Sequence, residues 1–474
     1  MKKTKGISLI VLIITIVVII ILATAIIVNL AQTNIIGNAN EAVVKQDFKT
    51  MQEELEMYIA DRYADTLGEF DASSLNATKA TTPSVYEVIP SLAKSKYKDE
   101  VIVVAGKIMI AEVMDSEVKE WATEVVGNNV GYKKVAVGTP VTGNNAVTTG
   151  IYPTYNNPVI PVGFKAVETT KATWSDANND GVVDGWNNGL VIQDEYNNEY
   201  VWLPVDGTSV AYAIWNGSMN TAWTVTKEKV SDDTLPTGVT SERAQISKYG
   251  GFYVARYEAG LPDEQTTEEL MATKTFSVDD NNKADIGKAQ SKADKIVWNR
   301  ISYNNAKTVS ENVISNNYVQ SGLLTGTQWD TMLTFLSQEV NVDTDCRAWG
   351  NYYDKYGYTI NGYYRTQHAD VAYTNGEYTK TGEGYLLLQT GKFGSVIAEG
   401  SPKNLFDVAG NVWEWTAETV KEKGGQYTAV GNKLLRGGSY TDYGTDVVAS
   451  YRGGFHSAAD AIPSVGFRFV LYIK

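Results

Sequence analysis

Residues 404–418 read NLFDVAGNVWEWTAE, two tryptophans flanking a glutamate directly after an Asp-x-x-Gly-Asn turn. Such a turn presents main-chain carbonyls and the Asp407 carboxylate, and Glu414, two residues beyond Val412, adds a second carboxylate to the same place. Clustered oxygens of this kind suit a hard cation such as calcium. The same letters admit another reading, in which Glu414 pairs with a buried arginine such as Arg436 or Arg468 and Trp413 and Trp415 only fill a core.

Outward from this stretch the chain turns to short strands. LVIQD (190–194), EYVWLPV (199–205), GGFYVARYEAG (250–260) and VGFRFVLYI (465–473) are apolar and aromatic runs bounded by turn residues, the pattern of strands. Helices are predicted over Ser302–Ile314, with Ser302 as N-cap, and over Thr327–Gln338. From Pro158 onward Tyr, Trp, Gly and Asn are frequent, which predicts a mixed fold held by buried aromatics and glycine turns.

FDVAGNVWEW (406–415), followed by LLRGGSY (434–440) and VGFRFV (465–470), resembles the formylglycine-generating enzyme, or sulfatase-modifying factor, family, which uses a variant of the C-type lectin fold. GGFYVARYEAG at Gly250, WNRISYNNA at Trp298 and LLTGTQWDTML at Leu323 stand in the family's order, so the resemblance covers residues 158–474. It implies that Asp407, Gly410, Val412 and Glu414 ligate calcium, the middle two through carbonyl oxygen.

The resemblance also implies where catalysis would sit. Formylglycine-generating enzymes hold copper on two cysteines a few residues beyond Gly-Gly-Ser. Here that stretch, GGSYTDYGTDVVASYRGG (437–454), has no cysteine, and Asp442 stands in the place of the first thiol. The one cysteine, Cys346 in DTDCRAWGNY (343–352), reads as a packed small residue or a surface thiol. The family's nonheme-iron branch needs three histidines, and the chain has only His368 and His456. Neither copper nor iron is expected, and the chain reads as a non-enzyme. What remains at the corresponding surface is Tyr440, Thr441, Asp442, Tyr443, Asp446, Tyr451, Arg452 and His456, a composition suited to recognising an extracellular protein or a glycan. Related folds serve as hypervariable receptors of diversity-generating retroelements, whose variable region lies at this C-terminal position.

A further cation loop is expected at DANNDGVVD (176–184), where Asp176, Asn178, Asp180 and Asp184 surround Gly181 in a calcium-loop pattern. Its closing glutamate is replaced by Asn187, and a plain Asn/Asp/Gly turn explains the same letters.

At the N-terminus, MKKTKG precedes an apolar run at residues 7–31, about 25 residues and long enough to span a bilayer. Lys2, Lys3 and Lys5 predict a single-pass anchor with the C-terminus outside the cell membrane. The order of residues resembles the class III leader of type IV prepilins. That resemblance implies a prepilin peptidase cutting after Gly6 and methylation of Ile7. Val11 stands where the family usually has the glutamate that pairs with a neighbouring pilin-like subunit, so processing is better supported than assembly.

The expected class is therefore α+β: a leader (1–6), a transmembrane helix (7–31), a pilin-like helix and small α+β unit (32–136), a Gly/Thr/Asn-rich linker (137–157) and the lectin-like domain (158–474). Within 36–62 the apolar positions Phe48, Met51, Leu55 and Tyr58 or Ile59 fall on one helix face. A length of 474 residues agrees with two or three domains, and a net charge of -14 argues against nucleic acid or an anionic membrane surface as partner. Three function classes follow: a cell-surface or pilus-associated binding module, a structural pilin or pseudopilin subunit, and an enzyme of unknown chemistry working through Glu414, Asp442 or Arg452.

Overall fold

A computed structural model describes residues 35–66, 70–72, 75–79, 81–104, 106–110, 114–126, 140–141, 154–176, 182–213, 230–232, 235–236, 239, 241–422 and 429–474. Gly6, Ile7 and the apolar run 7–31 lie outside them. Among the described residues, no helix is long and apolar enough to cross a membrane. The chain divides into two compact units, Met1–Gly131 and Tyr132–Lys474.

In the first unit, helix α1 (Ile35–Asp65) buries Val44, Phe48, Met51 and Leu55, spaced four and three residues apart on one stripe. Tyr58 and Ile59 continue that stripe partly buried. Strands β1 (Val101–Val104) and β2 (Lys107–Ile110) pair antiparallel, and helix α2 (Ser116–Val126) adds Ala122 to the same core.

In the second unit, β3 (Lys165–Val167), β4 (Val191–Gln193), β5 (Glu199–Pro204), β7 (Gly251–Ala255), β16 (Phe469–Ile473) and β8 (Val319–Leu323) form an antiparallel sheet in that order. Side chains alternate across a strand, and the sheet has a core on each face. Tyr200, Trp202, Tyr253, Phe469 and Leu471 enter one, while Val201, Leu203, Phe252, Val254 and Val470 enter the other. Helix α4 (Tyr303–Asn312) covers the first face with Tyr303, Ala306 and Val309, and α5 (Gly326–Leu336) the second with Trp329, Met332, Leu333 and Phe335. Both begin as predicted within a residue or two. Ser302 caps α4 by accepting from Asn305 N, and Thr325 and Gln328 form a capping box on α5. Helix α3 (Glu242–Tyr249) ends at Gly250, whose φ of 76° suits glycine and whose added Cβ would lie 2.1 Å from Tyr155 N.

A second sheet runs β14 (Gly453–His456), β13 (Lys433–Arg436), β12 (Trp413–Val420), β15 (Val465–Phe467), with β6 (Val230–Asp232) also on β12. VGFRFVLYI is thus two strands in two sheets, with Arg468 at the crossing between them. A third, small sheet holds β9 (Tyr358–Arg365) between β10 (Thr374–Lys380) and β11 (Leu387–Leu388). The predicted linker is anchored at its ends to the second unit. Val141 N donates to Phe164 O at 2.8 Å, and Tyr155 O accepts from Trp202 Nε1 at 2.8 Å, because a buried indole needs an acceptor.

Candidate functional site

The turn before β12 is held in an uncommon backbone. Lys403, Asn404, Asp407, Gly410 and Asn411 all have positive φ. Asparagine and aspartate accept that region better than most residues, and their side chains here fix it. Asn411 donates from Nδ2 to Glu258 Oε2 at 2.7 Å, and its Oδ1 accepts from Asn351 Nδ2 at 3.0 Å and Leu388 N at 3.1 Å. Asn404 Nδ2 donates to Gly189 O at 2.7 Å. A Cβ on Gly410 would lie 2.2 Å from Asn351 O, so only glycine fits.

Three carboxylates converge behind this turn: Glu258, which sequence reasoning passed over, Asp407 and Glu414. Arg468 faces them, donating from Nη2 to Glu414 Oε1 at 2.7 Å and from Nε to Oε2 at 3.0 Å. Asp407 Oδ2 accepts from Gly391 N at 2.6 Å, and Glu258 Oε1 accepts from Val412 N at 3.1 Å. Burial pushes Asp407 up to about 7, against the pull of the Gly391 amide and Arg468. Burial, with the neighbouring Asp407 and Glu414 charges, holds Glu258 well above the usual carboxylate range.

This centre bears on calcium in two ways. Burial holds Asp407 and Glu258 toward their neutral forms, and a hard cation would instead favour the carboxylates, whose lone pairs can be shared between Arg468 and an ion. Among the described residues, no group of three or more His, Cys, Asp or Glu is placed to hold a metal through side chains alone, so the Gly410 and Val412 carbonyls would have to complete the set. At the other expected loop, Asn178 and Asp180 lie outside the described residues. Asp184 Oδ2 there accepts from Ser175 Oγ at 2.5 Å.

The expected ligand surface divides. Arg452, Tyr451 and Tyr440 are buried, which corrects their reading as surface contacts. Arg452 pairs through Nη2 with Asp330 and through Nε with Glu418 Oε1 at 3.3 Å, while Arg436 Nη2 donates to Asp330 Oδ1 at 2.8 Å. The four charges tie α5 to β12, β13 and the approach to β14. Tyr451 packs edge-on against Trp413 at 5.7 Å. Thr441, Asp442 and His456 are half-buried, and Tyr443 and Asp446 are exposed. Asp442 accepts from Ser439 N at 2.9 Å and Ser439 Oγ at 2.6 Å, so its carboxyl clamps a turn. Burial pushes its carboxyl up to about 6. His456 Nδ1 lies 3.5 Å from Asp460 Oδ2.

Cys346 is the packed small residue of the two alternatives. Burial pushes its thiol up to about 12, and its Sγ accepts from Ala449 N at 3.3 Å. A protonated, enclosed thiol is a poor nucleophile.

What the sequence reading missed is a chain of rings across the top of β9–β11. Tyr443 and Tyr353 lie 5.5 Å apart, Tyr353 and Tyr385 5.2 Å, Tyr385 and Tyr440 6.3 Å, and Tyr385 and His368 6.0 Å, between ring centroids. His368 Nδ1 and Tyr440 Oη share a hydrogen bond of 3.0 Å. Tyr443 Oη donates to Glu383 Oε2 at 3.2 Å. The available signal was the density of tyrosine in YYDKYGY (352–358) and GYYR (362–365).

Residues 328–473 match the family described as sulfatase-modifying factor enzyme 1-like domain, FGE-sulfatase. An FGE-sulfatase-like domain is present. The match runs from within α5 to the last strand and includes Asp407, Glu414, Arg468 and Asp442, whereas Glu258 and strands β3 to β8 precede it. No curated protein matches this chain. Among solved structures, Treponema denticola variable protein 1 is similar at 12% identity, covering 66% of this chain and 95% of that one with a TM-score of 0.18.

Proposed function

We propose that this chain is a binding protein whose sulfatase-modifying-factor-like domain presents a tyrosine-rich recognition face instead of the family's copper chemistry. The observation that carries this is the ring chain from Tyr443 through Tyr353 and Tyr385 to His368. Tyr385 is 42% and Tyr443 44% exposed, although both are large and aromatic. Rigid rings with hydroxyl tips supply contact area at low entropic cost. Asp442, tied to Ser439 where the family has a thiol, and the enclosed Cys346 agree with a domain that binds rather than oxidises.

In the same proposal the apolar run 7–31 anchors the chain in a membrane with the domain outside, and the Gly6–Ile7 bond is the processing site. Calcium held by Asp407 and Glu414 with the Gly410 and Val412 carbonyls is a structural ion behind the face.

Glycan and extracellular-protein arrays probed with the full chain and with the Tyr385→Ser/Tyr443→Ser variant test the reading. Ligands retained by the native chain and lost by an equally folded variant are the expected result. Identical retention by both would refute the recognition face, and copper-dependent oxygen consumption with a cysteine peptide would refute the non-enzymatic role.

A further inference from the structure

Two arginines lie beside His368 and Tyr440, and part of each guanidinium is unsatisfied. Arg300 follows Trp298 and Asn299, and Arg365 ends β9; they are 3% and 2% exposed. His368 is pushed below the ordinary imidazole value by partial burial and then by the charges of Arg300 and Arg365, and both arginines act on Tyr440, so they flank one point. Among the described residues, Nε and Nη2 of Arg300 and Nε of Arg365 are buried without a hydrogen-bond partner. Buried guanidinium donors are seldom left so, because each has given up its water. Arg300 is moreover held at a φ of 59°, a conformation disfavoured for a residue with a Cβ.

The contacts these arginines do make come largely from the exposed turn between β9 and β10. Arg300 Nη1 pairs with the carboxylate of Asp370, whose side chain is 47% exposed. Arg365 Nη1 reaches Ala369 O at only 3.5 Å, and its guanidinium lies 4.6 Å over the Tyr373 ring. Of the two buried positive charges, Arg300 is paired with one surface carboxylate and Arg365 with a carbonyl and a ring, in a chain of net charge -14. Such a surplus is a place for an anion.

We propose that Arg300 and Arg365 form the anion subsite of the tyrosine face, which takes the carboxylate of an acidic saccharide, and that Asp370 occupies this subsite until the ligand displaces it. The inference rests on the reading of that face as a binding surface. A planar carboxylate matches the guanidinium fork, which a single point charge does not exploit. A sugar fits the rim, because the exposed ring of Tyr385 offers a flat apolar face while its hydroxyl and the exposed His368 offer polar edges. The turn bearing Ala369 and Asp370 lies outermost and moves aside when its carboxylate is exchanged for the ligand's.

Calorimetric titration of the full chain with glucuronate, glucose and a short oligoglutamate tests this. Glucuronate binding at least about tenfold tighter than glucose is expected, a difference of about 1.4 kcal/mol. Asp370→Asn removes the internal competitor and tightens glucuronate, whereas Arg365→Gln abolishes it and Arg365→Lys, which keeps charge without the fork, weakens it. Glucose binding as tightly as glucuronate, or glucuronate insensitive to both Asp370→Asn and Arg365→Lys, would overturn the subsite. Oligoglutamate outcompeting glucuronate would overturn the saccharide in favour of an acidic peptide. A neutral array ligand that is lost in the Tyr385→Ser/Tyr443→Ser variant but untouched by the arginine and Asp370 variants would sink the subsite and leave the recognition face standing.

Discussion

Arg452 shows how one residue changes meaning with burial. In the sequence it follows a tyrosine in a loop-like stretch and reads as a surface contact, yet its partner Asp330 is 122 residues away and both are fully enclosed. Removing one member of a buried charge network leaves the others desolvated, at a cost of about 3–5 kcal/mol. Arg452→Met is therefore expected to lower the urea midpoint of the domain steeply, and a midpoint within error of the native one would return Arg452 to the surface. Asp442 makes a prediction with a sign. Its folded value of about 6 lies above the ordinary 3.8, so the folded state holds this proton more tightly than the unfolded chain does. Its contribution is full below about pH 4 and is lost as pH rises through about 6. Between those limits the native protein should lose stability relative to Asp442→Asn, and parallel pH curves for the two would contradict the assignment.

At the scale of elements, legibility followed from how local the cause was. Helix α5 is readable because its capping box, Thr325 and Gln328, spans only four residues, and strands β5 and β7 because their aromatic runs alternate between two cores. The division of VGFRFVLYI was not readable, since both halves are apolar and no proline marks the break; the crossing is set by Arg468 reaching Glu414, 54 residues earlier. The Asp-x-x-Gly-Asn turn was legible as a turn, but its third carboxylate, Glu258, comes from beyond the end of β7 and is joined to it through the Asn411 side chain and the Val412 amide. The importance of this turn can be measured against a permissive one. Gly410→Ala meets main-chain oxygen at 2.2 Å, whereas Gly163→Ala, also at positive φ, meets nothing within 4 Å. Thermal unfolding should rank Gly410→Ala as much the more damaging, and equal losses would show that the turn yields.

For the whole molecule, separate hydrophobic cores in Met1–Gly131 and Tyr132–Lys474 predict that each unit unfolds with its own transition. A fragment covering 132–474 should keep the melting transition assigned to it in the full chain; loss of that transition would mean that the second unit depends on the first. The FGE-sulfatase-like match at residues 328–473 could be read from motifs in order, but the proposed recognition face could not, because its rings come from Tyr353, His368, Tyr385 and Tyr443 on separate loops, and only the last lay in the stretch singled out by sequence. The dissociation constant of an array-identified ligand, compared between the native chain and Tyr385→Ser/Tyr443→Ser, tests that face most directly. An increase of at least about tenfold with an unchanged melting temperature is predicted, as for the loss of central aromatic anchors, and an unchanged constant would contradict the account.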